Sequence, residues 1–308
     1  MEQYQDQWVK GRNVGTGVRE CASRYEALRP LLAKYTRPFT VLDLGASLGY
    51  FSFRIAEEFP QATIVAIDDD PRLFYQCLAN EKPNVLHLKH RMREDDVWQL
   101  ANCEQFDVVL ALNVVHHFER YESVLRSLFR LGDHLVIETP ASGEGSALNY
   151  SNAMHIYDLL YSQVASRLAE TPSHVGPVNR PMWLFETPGN SLRRAYFTAP
   201  DDLELGGVTI LSSPSQRIVT LHRKNETRNW IAGINLQTFL SLGGAFPLRE
   251  DVARMVESYP RPAERHGDVQ PWNFVINGHG LQLIDGRDDR AVFPDDFNRV
   301  AQMVRESK

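Results

Sequence analysis

Residues 41–52 constrain the fold of this 308-residue chain more than any other stretch. Their sequence is VLDLGASLGYFS, in which an apolar run containing Asp43 turns through Gly45 and Gly49 and continues into a helical pattern. A strand, a glycine-rich turn and a helix in this order typically open a doubly wound nucleotide-binding sheet. A dinucleotide fingerprint reads G-x-G-x-x-G, whereas these two glycines are spaced G-x-x-x-G. The spacing therefore favours a nucleotide-like ligand that has no pyrophosphate.

The residues that follow alternate between strand and helix patterns. A second apolar strand ends at Asp68, whose carboxylate can accept two hydrogen bonds from a ribose diol. Asp70 and Pro71 form a helix start, with Asp70 as N-cap and Pro71 at the first helical position. Further strands are predicted over residues 85–88, 106–112 and 134–138. This alternation predicts an α/β fold whose parallel sheet is covered on both faces.

Three parts of the sequence together resemble class I S-adenosylmethionine-dependent methyltransferases. They are the turn at residues 43–49, the acidic Asp68 and the segment LNVVHHF at residues 112–118. The resemblance covers roughly the first two thirds of the chain and implies a Rossmann-like, doubly wound sheet of seven strands. The last strand is then antiparallel, and S-adenosylmethionine lies across the carboxyl ends of the strands. A Rossmann-like domain for a different nucleotide is the alternative.

The resemblance also implies the cofactor-binding residues, position by position. The glycine turn is expected to wrap the methionine end of the cofactor, and the acidic pair after the second strand to hold the ribose. The full set is Asp43, Gly45, Ala46, Ser47 and Gly49 at the turn, Asp68 and Asp69 at the ribose, Arg91 and Met92 beside the adenine, and Asn113 closing over the cofactor.

Histidines just beyond the fourth strand are the candidates for catalysis. An alcohol acceptor needs a base with a pKa near neutral, which histidine provides, so we expect His116 or His117 to act as a base or to contact the acceptor. Histidines that only pack in the core are the alternative. Glu138, Tyr157 and Arg180 are further candidates for the acceptor site. Arg180 suits an anionic acceptor, unless it is a solvated surface residue.

The acceptor specificity is expected to lie in residues 141–186. A loop rich in serine and glycine leads into a helical stretch at residues 150–168. A sixth strand is predicted at residues 178–185 and the seventh at residues 217–221.

The N-terminal arm has a helical pattern of its own. Apolar residues recur at helical spacing from Cys21 to Leu32, which leaves Arg24 on another face. Such a helix is expected either to cover the cofactor pocket, with Tyr4, Trp8 or Arg24 contacting the methionine carboxylate, or only to pack on the edge of the sheet.

Composition limits the other classes of function. The net charge of −6 makes nucleic acid an unexpected partner, and no apolar run reaches membrane-spanning length. The 3 cysteines are widely separated and form no metal-binding pattern, so no metal site is predicted. The polar, acidic start carries no secretory signal. We therefore expect a soluble cytoplasmic enzyme; the sequence leaves its oligomeric state open.

The last third of the chain contains a second motif. Residues 266–273 (HGDVQPWN) and 283–286 (LIDG) resemble the catalytic core of protein-kinase-like and aminoglycoside-type phosphotransferases. That resemblance implies that Asp268 orients an attacking hydroxyl and that Asn273 and Asp285 hold magnesium. About forty residues precede the motif after the predicted seventh strand, too few for an ATP-binding lobe. We expect a small, mostly helical extension that resembles a kinase C-lobe and is structural or positions the substrate.

The order of the two motifs resembles bifunctional methyltransferase–kinase proteins that terminate O-antigen polysaccharides. The expected division is an arm at residues 1–35, a methyltransferase domain at 36–224 and the extension at 225–308. The expected function is O-methylation of a glycan, a sugar phosphate or a small metabolite with S-adenosylmethionine. The alternatives are a bifunctional enzyme that also uses ATP and magnesium, and a non-enzymatic scaffold that keeps the fold.

Overall fold

The computed structural model describes residues 3–36, 38–141, 144, 149–162, 165–187, 208–212, 217–223, 226–231, 233–244, 249–260, 269–277, 280–283 and 294–307. The first nine strands are β1 (Gln7–Val9), β2 (Arg12–Gly15), β3 (Phe39–Leu44), β4 (Ala62–Asp68), β5 (Val85–Lys89), β6 (Phe106–Leu112), β7 (Gly132–Glu138), β8 (Ser166–Pro172) and β9 (Asn179–Glu186). The other strands are β10 (Val208–Ser212), β11 (Arg217–Arg223), β12 (Glu226–Ile231), β13 (Ile234–Asn235), β14 (Phe274–Asn277) and β15 (Gly280–Leu283). The helices are α1 (Ala22–Leu32), α2 (Tyr50–Glu58), α3 (Pro71–Asn80), α4 (Glu94–Cys103), α5 (Tyr121–Leu131), α6 (Tyr150–Tyr161), α7 (Leu236–Ser241), α8 (Arg249–Glu257) and α9 (Pro294–Glu306).

A seven-stranded sheet forms the centre of the molecule, in the order β5-β4-β3-β6-β7-β9-β8. The strands from β3 to β7 are parallel, and β9 runs antiparallel to β7 and β8. The predicted Rossmann-like α/β fold is therefore confirmed, as is the antiparallel last strand of the sheet. The parallel register brings the ends of β4, β6 and β7 to one edge.

The prediction of the seventh strand was wrong. That strand is β8, which pairs with β9 from Ser166 to Pro172, whereas the predicted residues 217–221 fall in a separate antiparallel sheet of β10, β11 and β12. Residues 150–168 were expected to form one helix, but α6 ends at Tyr161. Because β8 lies at the sheet edge and is largely exposed, it lacks the apolar alternation that identifies a strand. Its last residue, Pro172, is also tolerated only at such an edge.

Two apolar layers cover the two faces of the sheet. Alternate strand residues belong to different layers, so that Val41 packs beside α1 and α2 while Leu42 packs on the side of α4 and α5. The C-terminal extension contributes to the second layer, because Phe239 of α7 and Phe297 of α9 belong to the same buried cluster as Leu42. The backbone N–H of Asn235 also donates to Glu104 Oε1 at the end of α4 (3.1 Å).

The extension is mostly helical, as expected, with helices α7, α8 and α9, and it also contains a small antiparallel sheet of β13, β14 and β15. The division into segments 1–35, 36–224 and 225–308 stays a prediction.

The N-terminal arm combines the predicted helix α1 with a hairpin of β1 and β2 that was not predicted. Arg24 lies on a face of that helix other than the apolar one, as expected, yet it is buried, with 1% exposed. Its guanidinium is buried because Nη1 donates to Glu138 Oε2 at the end of β7 (2.9 Å). Helical spacing alone does not show such a partner, which lies 114 positions away in the chain.

Candidate active site

A cleft lies along the edge where the parallel strands end. It consists of two adjoining cavities, a larger one of about 430 Å³ and a smaller one of about 360 Å³. Gly45, Asp68, Val114 and His117 line both cavities and so form the border between them. This is the position at which open α/β sheets bind their ligands.

The glycine turn brings only part of its predicted residues to the cleft. Gly45 has a left-handed φ of 74° and lies against Val114, because a Cβ at Gly45 would come within 2.8 Å of Val114 Cγ2. A Cβ at Gly49 (φ 75°) would instead meet the ring of Phe53 at 2.5 Å, so Gly49 allows α2 to pack closely. Ala46 is buried in the core, and its N–H donates to Ile67 O (3.1 Å). Gly45 therefore borders the ligand space, whereas Gly49 and Ala46 shape the turn.

Two aspartates at neighbouring strand ends have different surroundings. Asp43 lies behind the cleft, where burial raises its pKa to about 6 and Ser52 Oγ donates to its Oδ2 (2.6 Å). Asp68 faces both cavities, and its carboxylate accepts from the backbone N–H groups of Ser47 (2.7 Å) and Asp70 (2.9 Å). Burial raises the pKa of Asp68 as well. The two backbone hydrogen bonds orient Asp68 toward the cleft. Ser47, whose backbone has a left-handed φ of 55°, contributes through its backbone N–H.

The smaller cavity combines apolar walls with polar groups at its rim. Asp69, Arg91 and Met92 line it as predicted for the adenine and ribose end, and Arg91 Nε lies 4.0 Å from Asp69 Oδ2. His90 also lines this cavity and was not predicted. Its Nε2 lies 3.1 Å from Asp96 Oδ2, so a helix side chain fixes the ring. The sequence signal that could have identified His90 is its position directly after β5.

The larger cavity brings together residues that are distant in sequence. Asn113, His116 and Arg180 line it as predicted, together with Tyr4 of the N-terminal arm. His174, in the turn between β8 and β9, completes the wall and was not predicted, because nothing in the sequence marked that turn. The backbone of the arm is fixed there because Arg19 N donates to Tyr4 O (2.8 Å), and the Tyr4 ring packs edge-on against His174 (centroids 5.3 Å apart).

The two candidate catalytic histidines differ in burial. His116 is 2% exposed, and burial, followed by the neighbouring His117 and Arg180, lowers its pKa to about 3. His117 is exposed at the cavity border, and partial desolvation still lowers its pKa. The ring centroids lie 4.1 Å apart. Both imidazoles are therefore neutral near pH 7, and His116 is a far weaker base than a free histidine.

A network of buried charges lies behind the larger cavity. Glu138 is 0% exposed and pairs with both Arg19 and Arg24, while Arg19 Nη2 also donates to Thr171 Oγ1 of β8 (2.8 Å). Burial, followed by the charges of Arg24 and Arg180, lowers the pKa of Arg19 to about 9. Glu138, a candidate acceptor residue, is thus a counter-ion that lines neither cavity.

The other predicted residues lie apart from the cleft or outside the described chain. Tyr157 stacks on Tyr161 of the same helix (centroids 6.0 Å apart) and lines neither cavity. Asn273 is 4% exposed in a 3-10 turn, where its N–H donates to Gln270 O (2.9 Å). Asp268 and Asp285 lie outside the described residues. The predicted phosphotransfer site is therefore not defined by the structure.

In the described part of the chain, no three histidine, cysteine or acidic residues are grouped as metal ligands would be. No helix within the same described ranges is long and apolar enough to cross a lipid bilayer.

Comparisons with known proteins agree with this fold. Residues 42–132 match the family described as a methyltransferase domain. The chain is 30% identical over 183 residues to the O-antigen chain terminator bifunctional methyltransferase/kinase WbdD of Escherichia coli, a match that covers 55% of this chain and 26% of that protein. It is 25% identical over 245 residues to the tRNA U34 carboxymethyltransferase of Sulfurimonas denitrificans, covering 72% of this chain and 64% of that protein.

A solved structure of the bifunctional kinase–methyltransferase WbdD has the same fold, with a TM-score of 0.50 at 19% identity over 98% of this chain and 85% of that one. The chain spans about a quarter of the full WbdD sequence, since the sequence match covers 26% of it.

Proposed function

We propose that the chain, whose residues 42–132 match a methyltransferase domain, transfers a methyl group from S-adenosylmethionine to an oxygen of a glycan, sugar phosphate or small metabolite. The observation that carries the proposal is the pair of adjoining cavities with Asp68 at their border. One cavity accommodates the nucleoside, and the other the methionine end and the acceptor.

The residues around the cleft fit S-adenosylmethionine in three respects. Asp68, fixed by two backbone N–H donors, has lone pairs left for the ribose hydroxyls. Ile67 and Met92 offer the smaller cavity apolar contact for an adenine ring. In the larger cavity, the buried atoms Gln5 Oε1 and His116 Nδ1 have no hydrogen-bond partner among the described residues. Buried polar groups are normally satisfied, so such atoms favour a bound polar ligand.

S-adenosylmethionine supplies an activated methyl group on a sulfonium centre, and the protein must present an oxygen lone pair to it in line. Positioning and exclusion of water then provide much of the rate. Tyr4 and His174, whose rings pack edge-on, form the roof of the larger cavity and shield part of it from solvent.

The state of the histidines favours an acceptor whose oxygen is already ionised. A base works best when its pKa lies near the operating pH, and His116, with a pKa lowered to about 3, does not meet this condition. A carboxylate or phosphate oxygen needs no base. We therefore favour the anionic members of the proposed acceptor classes.

Titration calorimetry with S-adenosylhomocysteine tests the cofactor assignment. Asp68→Ala should abolish binding, because the ribose hydroxyls lose their acceptor. Asp95→Ala is the matched control, since Asp95 is an 83% exposed aspartate on α4 and should leave the affinity unchanged. Unaltered binding by Asp68→Ala would overturn the assignment.

Methyl transfer to a panel of acceptors tests the second half of the proposal. Sugar phosphates and carboxylates should be methylated, with a rate that is flat between pH 6.5 and 9, because no group must lose a proton in that range. A neutral sugar that is methylated equally well, with a rate that depends on an ionisation near pH 7 and on His117, would refute the preference for anions.

A further inference from the structure

Asn113, the residue directly after β6, has a conformation that needs support. Its φ is 62°, in the left-handed region that residues other than glycine adopt infrequently. Asparagine tolerates this region better than most residues, but it persists there only when its surroundings hold it. Residues held in this way concentrate at ligand-binding sites.

Three hydrogen bonds hold Asn113. Its backbone N–H donates to Glu138 O (2.9 Å), its Nδ2 donates to Tyr4 Oη (2.7 Å), and Arg180 Nη1 donates to its Oδ1 (2.9 Å). The side-chain amide thus bonds the protein at both of its polar atoms. This differs from a side chain that simply closes over the cofactor.

The two side-chain partners come from opposite parts of the fold. Arg180, at the start of β9, is 1% exposed and is clamped by Glu144 through Nε (2.8 Å) and Nη2 (2.6 Å). With these bonds made, Arg180 acts as a buried support rather than a free cation. Tyr4 belongs to the arm that covers the larger cavity, and its ring is held against His174. Asn113 therefore joins the floor of the cavity to its roof.

The turn at Asn113 also determines where the next residue lies. Val114 lines both cavities and packs against Gly45, which has no side chain at the point of contact. Rotation of the Asn113 backbone out of the left-handed region would move Val114 and change the passage between the two cavities. In the proposed function, the passage is where the cofactor runs from its nucleoside in the smaller cavity to its methionine end in the larger one.

We propose that Tyr4 and Arg180 are positioning residues that act through Asn113: they hold the roof on the cavity and fix Val114 at the passage. This inference rests on the proposed methyltransferase function. It assigns Arg180 a role in shaping the site instead of the direct recognition of an anion.

The test compares Tyr4→Phe, which removes the hydroxyl and keeps the ring against His174, with Tyr75→Phe as control. Tyr75 is 64% exposed on α3. The loss of one hydrogen bond should raise the dissociation rate of S-adenosylhomocysteine about three- to tenfold in Tyr4→Phe and leave it unchanged in the control. The turnover number of Tyr4→Phe should fall, while its melting temperature should equal that of Tyr75→Phe.

A charge-altered variant gives the second readout. Asn113→Ala should raise the dissociation rate of S-adenosylhomocysteine by more than Tyr4→Phe does. Asn113→Asp should bring this rate most of the way back to that of the unmodified protein, because a carboxylate accepts from both Arg180 and the Tyr4 hydroxyl. Combining Asn113→Asp with Tyr4→Phe should remove that restoration.

Equal dissociation rates for Tyr4→Phe, Tyr75→Phe and the unmodified protein would overturn the inference. Equal defects in Asn113→Asp and Asn113→Ala would overturn it too. If the unmodified protein binds no S-adenosylhomocysteine, the proposed function itself fails, which separates the two results.

Discussion

Glu138 pairs with both Arg19 and Arg24, and its removal should destabilise the fold strongly. All three side chains are at most 1% exposed. In Glu138→Gln, both guanidinium groups stay buried while their counter-charge is lost. Breaking a buried ion pair on one side costs about 3–5 kcal/mol, because the remaining charge has neither partner nor water. Total stability is typically about 5–15 kcal/mol, so this loss is a large fraction of it.

Two further variants make the reasoning specific. Glu186→Gln removes a glutamate from the adjacent strand β9 that is 58% exposed and lies 3.8 Å from His134 and 4.0 Å from Lys34. An exposed pair of this kind contributes about 0–1 kcal/mol. Arg19→Met should cost less than Glu138→Gln, since it leaves a one-to-one pair of Glu138 and Arg24. The free energy of unfolding should therefore be highest, and nearly equal, in the unmodified protein and Glu186→Gln. It should be lower in Arg19→Met and lowest in Glu138→Gln.

Urea denaturation followed by circular dichroism measures these free energies. Urea is preferable to guanidinium chloride, since a salt screens the charges under study. A loss of less than about 1 kcal/mol in Glu138→Gln, within the range of an exposed pair, would refute the reasoning. So would a greater loss in Arg19→Met than in Glu138→Gln.

Three other substitutions test the turn, the buried acid and the extension. Gly45→Ala should lower the free energy of unfolding, measured with urea, by about 1–3 kcal/mol, because φ is 74° and Val114 would lie 2.8 Å from the new Cβ. Gly176→Ala is the control and should cause no such loss, since a Cβ there would meet no atom within 4 Å. Burial raises the Asp43 pKa from 3.8 to about 6, so the folded state binds this proton more tightly than the unfolded state and stability falls as pH rises through that window. Between pH 4 and pH 7 this loss of unfolding free energy should be about 2 kcal/mol, and Asp43→Asn should be free of it. Phe239→Ala should cost about 3–5 kcal/mol and leave one unfolding transition by calorimetry, since a second transition would show that the extension unfolds separately.

The parts of the fold that sequence predicted share a local cause. Strands such as β3 and β6 are buried on both faces and are mostly apolar, Gly45 follows the end of β3 directly, and Asp68 is the last residue of β4. Each of these features is determined by neighbours within a few residues. The Asp70 N-cap is another example, because its side chain accepts from Arg72 N two positions later (2.9 Å).

The parts that sequence did not predict depend on distant partners. The helical pattern places Arg24 apart from the apolar face, and its partner Glu138 is brought beside it only by the fold. The edge strand β8 follows from its pairing with β9 and not from its own apolar pattern. In the same way, His174 enters the larger cavity only because the turn between these strands lies beside Tyr4. Burial of polar groups is decided by tertiary structure, which local periodicity does not encode.

The packing of the extension bears on how its phosphotransferase-like motif should be read. Phe274 follows Asn273 directly and belongs to the same buried cluster as Leu42 of the central sheet. Asn273 itself is 4% exposed. Substitutions here would lower the stability of the whole molecule, so natural selection for folding alone would preserve this part of the motif. Persistence of Asn273 in a lineage is then no measure of phosphoryl transfer. The two aspartates of the motif, Asp268 and Asp285, are the positions whose loss or retention would record that activity.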